Sequence, residues 1–207
     1  MGGHKAGDVA SRYTVDEFVS LIENATEKDD ITVISEAVTK VNTMLLEKAK
    51  ESPDYTGMGT TLVVAIVTKD YLLFGNIGDS SGYVVKNKQL HKITTDHTLV
   101  NLLVKSGELT EEEAKEHPRK NVLMKALGAN VNVEMDIFNV EKDVDGVFLC
   151  SDGLTNMLDD DQIVKVLNDN LSCEEKMQKL IYKCNNRGGN DNISVAYLIK
   201  DGASSNE

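Results

Sequence analysis

Hydrophobic positions in the first quarter of the chain recur at helical spacing. The pattern predicts one helix from about Gly7 to Glu23 and a second that opens at Asp29-Asp30 and stops before Pro53. The apolar positions of the second helix recur at steps of three and four residues, and they are Ile31, Ile34, Val38, Val41 and Leu45. This spacing is typical of a helix with one buried face.

Runs rich in β-branched and aromatic residues follow and predict strands. The predicted strands are residues 60–68, 71–77, 82–85, 89–93, 135–140, 146–150 and 193–199. Short turns, such as Lys69-Asp70, join the early ones in sequence. Consecutive strands with short connections indicate an antiparallel meander rather than a parallel sheet with crossover helices.

Helical patterns return between and after the strands. Residues 97–127 read as helical, with breaks at Ser106-Gly107 and His117-Pro118, and Thr110 with Glu113 forms a predicted capping box. Two later helices carry apolar faces formed by Ile163, Val166 and Leu167 and by Met177, Leu180, Ile181 and Cys184. Long helices beside groups of consecutive strands predict the α+β fold class.

Charge and composition narrow the classes of function. The 207 residues suit one domain, and 22 basic against 34 acidic side chains give a net charge of −12. That balance argues against nucleic acid or an anionic membrane surface as a partner, because both require a basic footprint. An acidic protein can still act on phosphate when bound metal ions supply the positive charge.

The sequence favours a cytoplasmic location. It has no apolar run long enough to insert in a membrane and no apolar core of a signal peptide at its start. Its cysteines, Cys150, Cys173 and Cys184, form no CxxC pair and no disulfide framework. These features are typical of a reducing compartment.

Short acidic or glycine-rich segments occur at predicted strand ends and turns. They are Gly78-Asp79-Ser80, Thr95-Asp96-His97, Ser151-Asp152-Gly153 and Gly188 to Asn192. Each alone is an ordinary turn or helix cap. Together their carboxylates are the ligands that Mg²⁺ and Mn²⁺ prefer, and a pair of such ions activates water and clamps a phosphate. Spacing alone leaves open whether the segments converge.

The order of these segments resembles that of the bacterial protein phosphatase 2C family. The matching segments are MGGHKAG from Met1, MGTT from Met58 after Gly57, NIGDS from Asn76, TDHTLV from Thr95, SDGLT from Ser151 and GNDNI from Gly189. Gly107, Glu113-Ala114, His117-Pro118 and Ala126 to Gly128 follow the pattern of the family's flap. The matches span essentially the whole chain.

The resemblance implies hydrolysis of phosphoserine and phosphothreonine in proteins by a metal-activated water. It implies a central β-sandwich of two antiparallel sheets flanked by helices, in α-β-β-α layers. The family-like domain covers residues 1–201, with a flap at about 97–127 and a flexible tail at 202–207. The implied partners are phosphoproteins and a cognate serine/threonine kinase with its substrates.

The resemblance also implies the metal site. Asp152 and Asp191 match ligands of the two core Mn²⁺ or Mg²⁺ ions, and Asp96 matches the ligand that recruits a third, more weakly held ion. Ser151 and Asn192 are expected to orient the ligating carboxylates, as residues around metal ligands generally do. His97 and His117 carry no ligand spacing and are not assigned to the site.

Two departures from the family pattern stand out. The family motif begins with Asp-Gly before the position of Met1; that Asp bridges the core ions, so this truncated chain is expected to lack the first strands and to bind the pair weakly. Ser81 stands where the family usually has Arg. Three hypotheses remain: a complete phosphatase whose sequence starts here at an internal Met, a short pseudophosphatase that binds a phosphoprotein or regulatory partner, and an unrelated acidic metal-binding module.

Overall fold

A computed structural model describes residues 4–26 and 29–200, without the side chains of residues 4 and 5. The predicted tail and the start of the first matching segment lie outside these ranges. The chain divides into two compact units. The helical unit comprises Met1–Leu62, Asn76–Asp79 and Asp96–Ile137, and the sheet unit comprises Val63–Gly75, Ser80–Thr95 and Phe138–Glu207.

The helical unit is built on α1 (His4–Glu23) and α2 (Asp30–Lys48), which pack against each other. Asp29 caps α2 by accepting a hydrogen bond from the Thr32 amide, as its position before the apolar pattern predicts. The buried residues of the pair include Ala10, Phe18, Ile34, Val38, Val41 and Leu45. Ile31, predicted on the buried face, is 49% exposed because it lies in the first turn of α2.

Asn42 of α2 anchors a loop of the same unit. Its Nδ2 donates to the carbonyls of Asn130 and Val131 at 2.8 and 3.0 Å. Its Oδ1 accepts from the Gly128 amide at 2.8 Å. The residue is 1% exposed, so these bonds satisfy a polar group that would otherwise be costly to bury.

The helical unit also contains a 3₁₀ turn (Pro53–Tyr55) after α2 and, later in the chain, α3 (Leu99–Lys105) and α4 (Glu111–Glu116). Both hydrogen bonds of the predicted capping box form at α4. The helical prediction for residues 118–127 was wrong. That stretch makes isolated bridges, Thr98 with Leu123 and Thr60 with Leu127, so its backbone groups bond to other segments instead of to a helix. Pro118 favours this outcome because it disfavours helix at the preceding residue.

The remaining elements form two sheets. A three-stranded sheet has the order β1-β2-β5, and a four-stranded antiparallel sheet has the order β4-β3-β6-β7. The strands are β1 (Leu62–Val67), β2 (Tyr71–Ile77), β3 (Ser81–Lys86), β4 (Gln89–Lys92), β5 (Asp136–Glu141), β6 (Gly146–Cys150) and β7 (Val195–Ile199). All lie within two residues of the predicted ranges.

The core of the sheet unit lies on both faces of the four-stranded sheet. Val84 of β3 packs with Leu72 and Phe74 of the other sheet, whereas the neighbouring Tyr83 packs with Phe148 on the opposite face. That opposite face is covered by α5 (Asp152–Thr155), α6 (Asp160–Leu167) and α7 (Cys173–Asn185). Because both faces are covered, β3 is almost entirely buried.

The hairpin between β3 and β4 turns on two residues in the left-handed region. Asn87 and Lys88 have φ of 53° and 63°, and Lys86 pairs with Gln89 across the turn. Asparagine adopts this conformation readily, but for a residue such as lysine it costs roughly 1 to 2 kcal/mol.

We therefore expect Lys88→Gly to raise the free energy of unfolding by about 0.5 to 1 kcal/mol, since the freedom of glycine in the unfolded chain offsets part of the relief. Urea denaturation measures the change. Lys88→Ala removes the same charge but keeps a Cβ, and should not stabilise. Equal stability of the glycine and alanine variants would show that the turn is not strained.

Candidate metal centre

Asp152 lies where a buried strand gives way to a helix. β6 ends at Cys150, Ser151 is the N-cap residue, and Asp152 opens α5. Asn156, one turn further on, donates from Nδ2 to Asp152 Oδ2 at 3.1 Å. The carboxylate is therefore oriented by a side chain of its own helical turn.

Asp191 lies in the loop between α7 and β7 of the same sheet unit. Its Oδ1 accepts a hydrogen bond from the Asn192 amide at 2.7 Å, and its side chain is exposed. Ser151, next to Asp152, hydrogen-bonds to Asn192, next to Asp191, so the two carboxylates lie on adjoining segments. Two of the predicted metal ligands are thus brought together.

Ser151 joins the two segments that carry these carboxylates. Its Oγ donates to the Asn192 carbonyl at 3.2 Å and accepts from the Ser194 amide at 3.0 Å. Its own amide donates to the Ser194 carbonyl at 3.0 Å. Asn192 takes part in these contacts through its backbone. The arrangement is compatible with the supporting roles expected for Ser151 and Asn192, which stay predictions.

Gly153 allows the two segments to approach closely. A Cβ added at this position would lie 2.2 Å from the carbonyl oxygen of Asn192, a separation that real atoms do not adopt. Any other residue would therefore displace either the start of α5 or the loop that carries Asp191. The glycine of the SDG segment serves this contact, a reason that the sequence alone does not show.

Burial, together with the charge of Asp191, raises the pKa of Asp152 above its ordinary value, and the hydrogen bonds from Gly153 and Asn156 only partly oppose this. A divalent cation would relieve the repulsion between the two carboxylates. Mg²⁺ is commonly held by one or two carboxylates with several waters, so this donor set fits it. Among the described residues, no group of three His, Cys, Asp or Glu side chains is placed to hold an ion.

The third predicted ligand, Asp96, lies in the helical unit, just before α3. Its carbonyl accepts a hydrogen bond from Asn101 Nδ2 at 2.6 Å, and Thr98 caps α3. Ser81 is buried and pairs with Cys150 in the β3–β6 register, one residue before Ser151.

Sequence reasoning missed Asn156 and the structural purpose of Gly153. The i, i+4 spacing of Asp152 and Asn156 is a signal for the first, because such pairs meet on a helix. That signal requires knowing that a helix of only four residues, α5, begins at Asp152.

The chain is similar to known phosphatases in sequence and in fold. The family description "Protein phosphatase 2C" matches residues 1–186. The serine/threonine phosphatase stp of Listeria welshimeri is 42% identical over 206 residues, covering 97% of this chain and 82% of that protein. The crystal structure of the serine/threonine phosphatase Stp1 from Staphylococcus aureus has a TM-score of 0.89 at 34% identity, covering 98% of this chain and 81% of that one.

The chain belongs to the protein phosphatase 2C family, a family of metal-dependent serine/threonine phosphatases. The predicted α+β fold of two antiparallel sheets with flanking helices is confirmed. A crystal structure of the catalytic domain of the phosphatase PstP in complex with 2 manganese ions has a TM-score of 0.81 at 33% identity, covering 94% of this chain and 82% of that one. It supports the predicted Mn²⁺ or Mg²⁺ cofactor.

Among the described residues, no helix is both long and apolar enough to cross a membrane.

We expect Gly153→Ala to weaken Mn²⁺ binding about tenfold, the scale typical of changes beside metal ligands. The added Cβ would collide with the Asn192 backbone and separate the two carboxylates without removing either. Isothermal titration calorimetry measures the affinity. Gly7→Ala is the control, since a Cβ there meets nothing within 4 Å. Wild-type affinity in the Gly153 variant would contradict the expected role of the close approach.

Proposed function

We propose that this chain carries the site of a metal-dependent phosphatase that hydrolyses phosphoserine and phosphothreonine in proteins. The observation that carries the proposal is the joining of the Asp152 and Asp191 segments through Ser151, in a chain of the protein phosphatase 2C family. In this proposal residues 1–201 act as one phosphatase domain, with a flap at about 97–127.

Asp152 and Asp191 hold the core Mn²⁺ or Mg²⁺ ions, and Asp96 recruits a third, more weakly held one. Bound ions supply an acidified water and positive charge for the phosphate. The chain contributes orientation: Asn156 fixes one carboxylate oxygen of Asp152, and Ser151 keeps the Asp191 loop beside it. With a net charge of −12, the protein has a particular need of cations to accept a phosphorylated substrate.

We propose that the protein acts in the cytoplasm on the products of a serine/threonine kinase. Cys150, Cys173 and Cys184 are free thiols, as in proteins of a reducing compartment. Several curated relatives are named as serine/threonine phosphatases of bacteria. A cognate kinase and its phosphoprotein substrates are therefore the partners that we propose.

We further propose that the 207 residues alone hydrolyse phosphoesters slowly, since no residue in them corresponds to the Asp-Gly that opens the family motif. A shared carboxylate holds two ions at the separation that in-line attack requires. The second candidate function is a pseudophosphatase that binds a phosphoprotein or regulatory partner without turnover. It too is suggested by the missing Asp-Gly.

Hydrolysis of p-nitrophenyl phosphate in Mn²⁺ tests this proposal. We expect at least a roughly 100-fold higher rate when the chain is extended with the upstream strands and Asp-Gly of a relative, because the bridging ligand supplies several kcal/mol and each 1.4 kcal/mol is tenfold. Equal rates for the short and extended forms would show that hydrolysis does not require the bridging Asp. Phosphopeptide binding by both forms without hydrolysis by either would establish the pseudophosphatase instead.

In the extended form, Asp152→Asn and Asp191→Asn should each lower phosphate release from a phosphothreonine peptide by about 100-fold or more, because each removes a charged ligand. Removing the metal with EDTA should abolish release. Asp159→Asn is the matched control: it makes the same change at the exposed cap of α6, where asparagine also caps well. Full activity in both ligand variants would refute the assigned site.

A further inference from the structure

His97 makes two reciprocal hydrogen bonds with Gly78, a residue 19 positions earlier in the chain. The Gly78 amide donates to the imidazole Nδ1 at 3.0 Å. The His97 amide in turn donates to the Gly78 carbonyl at 2.9 Å. Both residues lie in the helical unit, and the pair fixes the backbone immediately after Asp96 to the Gly78 turn.

The Gly78 turn is a rigid point of attachment. Its φ of +107° lies in the region that L side chains rarely adopt. A Cβ added there would lie 2.2 Å from Thr61 Cγ2, so the backbone packs directly on that side chain. Asn76 Nδ2 also donates to the Gly78 carbonyl at 3.1 Å, and Ile77 is fully buried. These contacts hold the turn to which the Asp96 segment is attached.

The other ring nitrogen of His97 is directed to an ion pair. Since Nδ1 accepts a hydrogen bond, the neutral ring carries its proton on Nε2. Nε2 lies 3.1 Å from Asp136 Oδ2, although the contact falls short of regular hydrogen-bond geometry. Lys125 Nζ contacts Asp136 Oδ1 at 2.7 Å. With 11% of its side chain exposed, the imidazole is held between the Gly78 turn and this pair.

The backbone on the far side of His97 is fixed as well. Its carbonyl accepts from the Met124 amide at 2.8 Å, and the Leu99 amide donates to the Val122 carbonyl at 2.9 Å. Asp96 thus precedes a residue whose amide, carbonyl and side chain are all engaged. Displacement of the backbone that carries Asp96 would therefore require breaking several of these contacts.

We propose that His97 is the positioning residue of Asp96, holding that carboxylate in place for the weakly bound ion through its Nδ1 bond to Gly78. The inference rests on the proposed role of Asp96 as a ligand. It assigns to His97 neither metal binding nor proton transfer. Its chemical requirement is an acceptor at the position of Nδ1.

Electron paramagnetic resonance measures free Mn²⁺, and the bound Mn²⁺ that Asp96→Asn loses gives the occupancy of the weak site. We expect His97→Phe, which keeps a ring but removes the acceptor, to raise the Mn²⁺ concentration for half-occupancy about tenfold. His97→Asn, whose Oδ1 can take the place of Nδ1, should recover most of the affinity. His91→Phe makes the same change on an exposed residue of β4 and should leave binding unaltered.

The Asp96→Asn variant distinguishes the role of His97 from the role of Asp96. Loss of the weak site in this variant, with unaltered binding in His97→Phe, would overturn the role of His97 and leave the proposed function standing. Retention of the weak site in Asp96→Asn would overturn the proposed role of Asp96 and this inference with it.

A measurement on the wild-type protein covers the case in which His97→Phe does not fold. In ¹⁵N NMR, Nδ1 should be unprotonated and coupled to the Gly78 amide. Both resonances should shift on Mg²⁺ titration, and this shift should vanish in Asp96→Asn. A proton on Nδ1, or resonances that do not respond to Mg²⁺, would contradict the proposal.

Discussion

Two like charges held close together are the constraint on which the candidate centre depends. The charge of Asp191 disfavours the ionised form of Asp152, yet Ser151 bonds to the backbone of both Asn192 and Ser194 and keeps the two segments joined. The hydrogen bonds that hold the segments together are thus made by neighbours of the carboxylates. The repulsion between the two carboxylates lowers the stability of the folded state, and a bound cation offsets that repulsion.

The strands were predictable because their periodicity differs from that of the helices, whereas their arrangement as a sandwich was implied by the family resemblance. Val195, Tyr197 and Ile199 alternate with exposed positions in β7, as the sequence pattern indicates. Residues 118–127 were misread because their apolar spacing resembles that of a helix. Val122 and Met124 are in fact exposed, and the backbone is satisfied by separate segments, which local spacing does not encode.

The residues of the candidate metal centre have a different basis in the sequence from the strands. Asp152 and Asp191 are assigned as ligands because the order of short segments resembles that of a known family, and this assignment stays a prediction. The structure adds the Ser151 contacts that join their segments. His97 was set aside because it has no ligand spacing, and its contacts with Gly78 and Asp136 arise only when distant residues meet. The shape of a loop held by such contacts is a tertiary property, so single-sequence patterns carry little signal for it.

Asn42 shows how one buried side chain can hold a loop through the backbone of that loop. Its three bonds all reach backbone groups, those of Gly128, Asn130 and Val131. These bonds do not depend on the side chains of the loop, but Gly128 is constrained for another reason: its φ is +76° and a Cβ there would lie 2.8 Å from the Met58 carbonyl. The bonds do depend on the side chain at position 42: aspartate offers no donor and leucine offers no polar atom. A single buried amide of the helix thus fixes the path of a loop that lies 86 to 89 residues further along the chain.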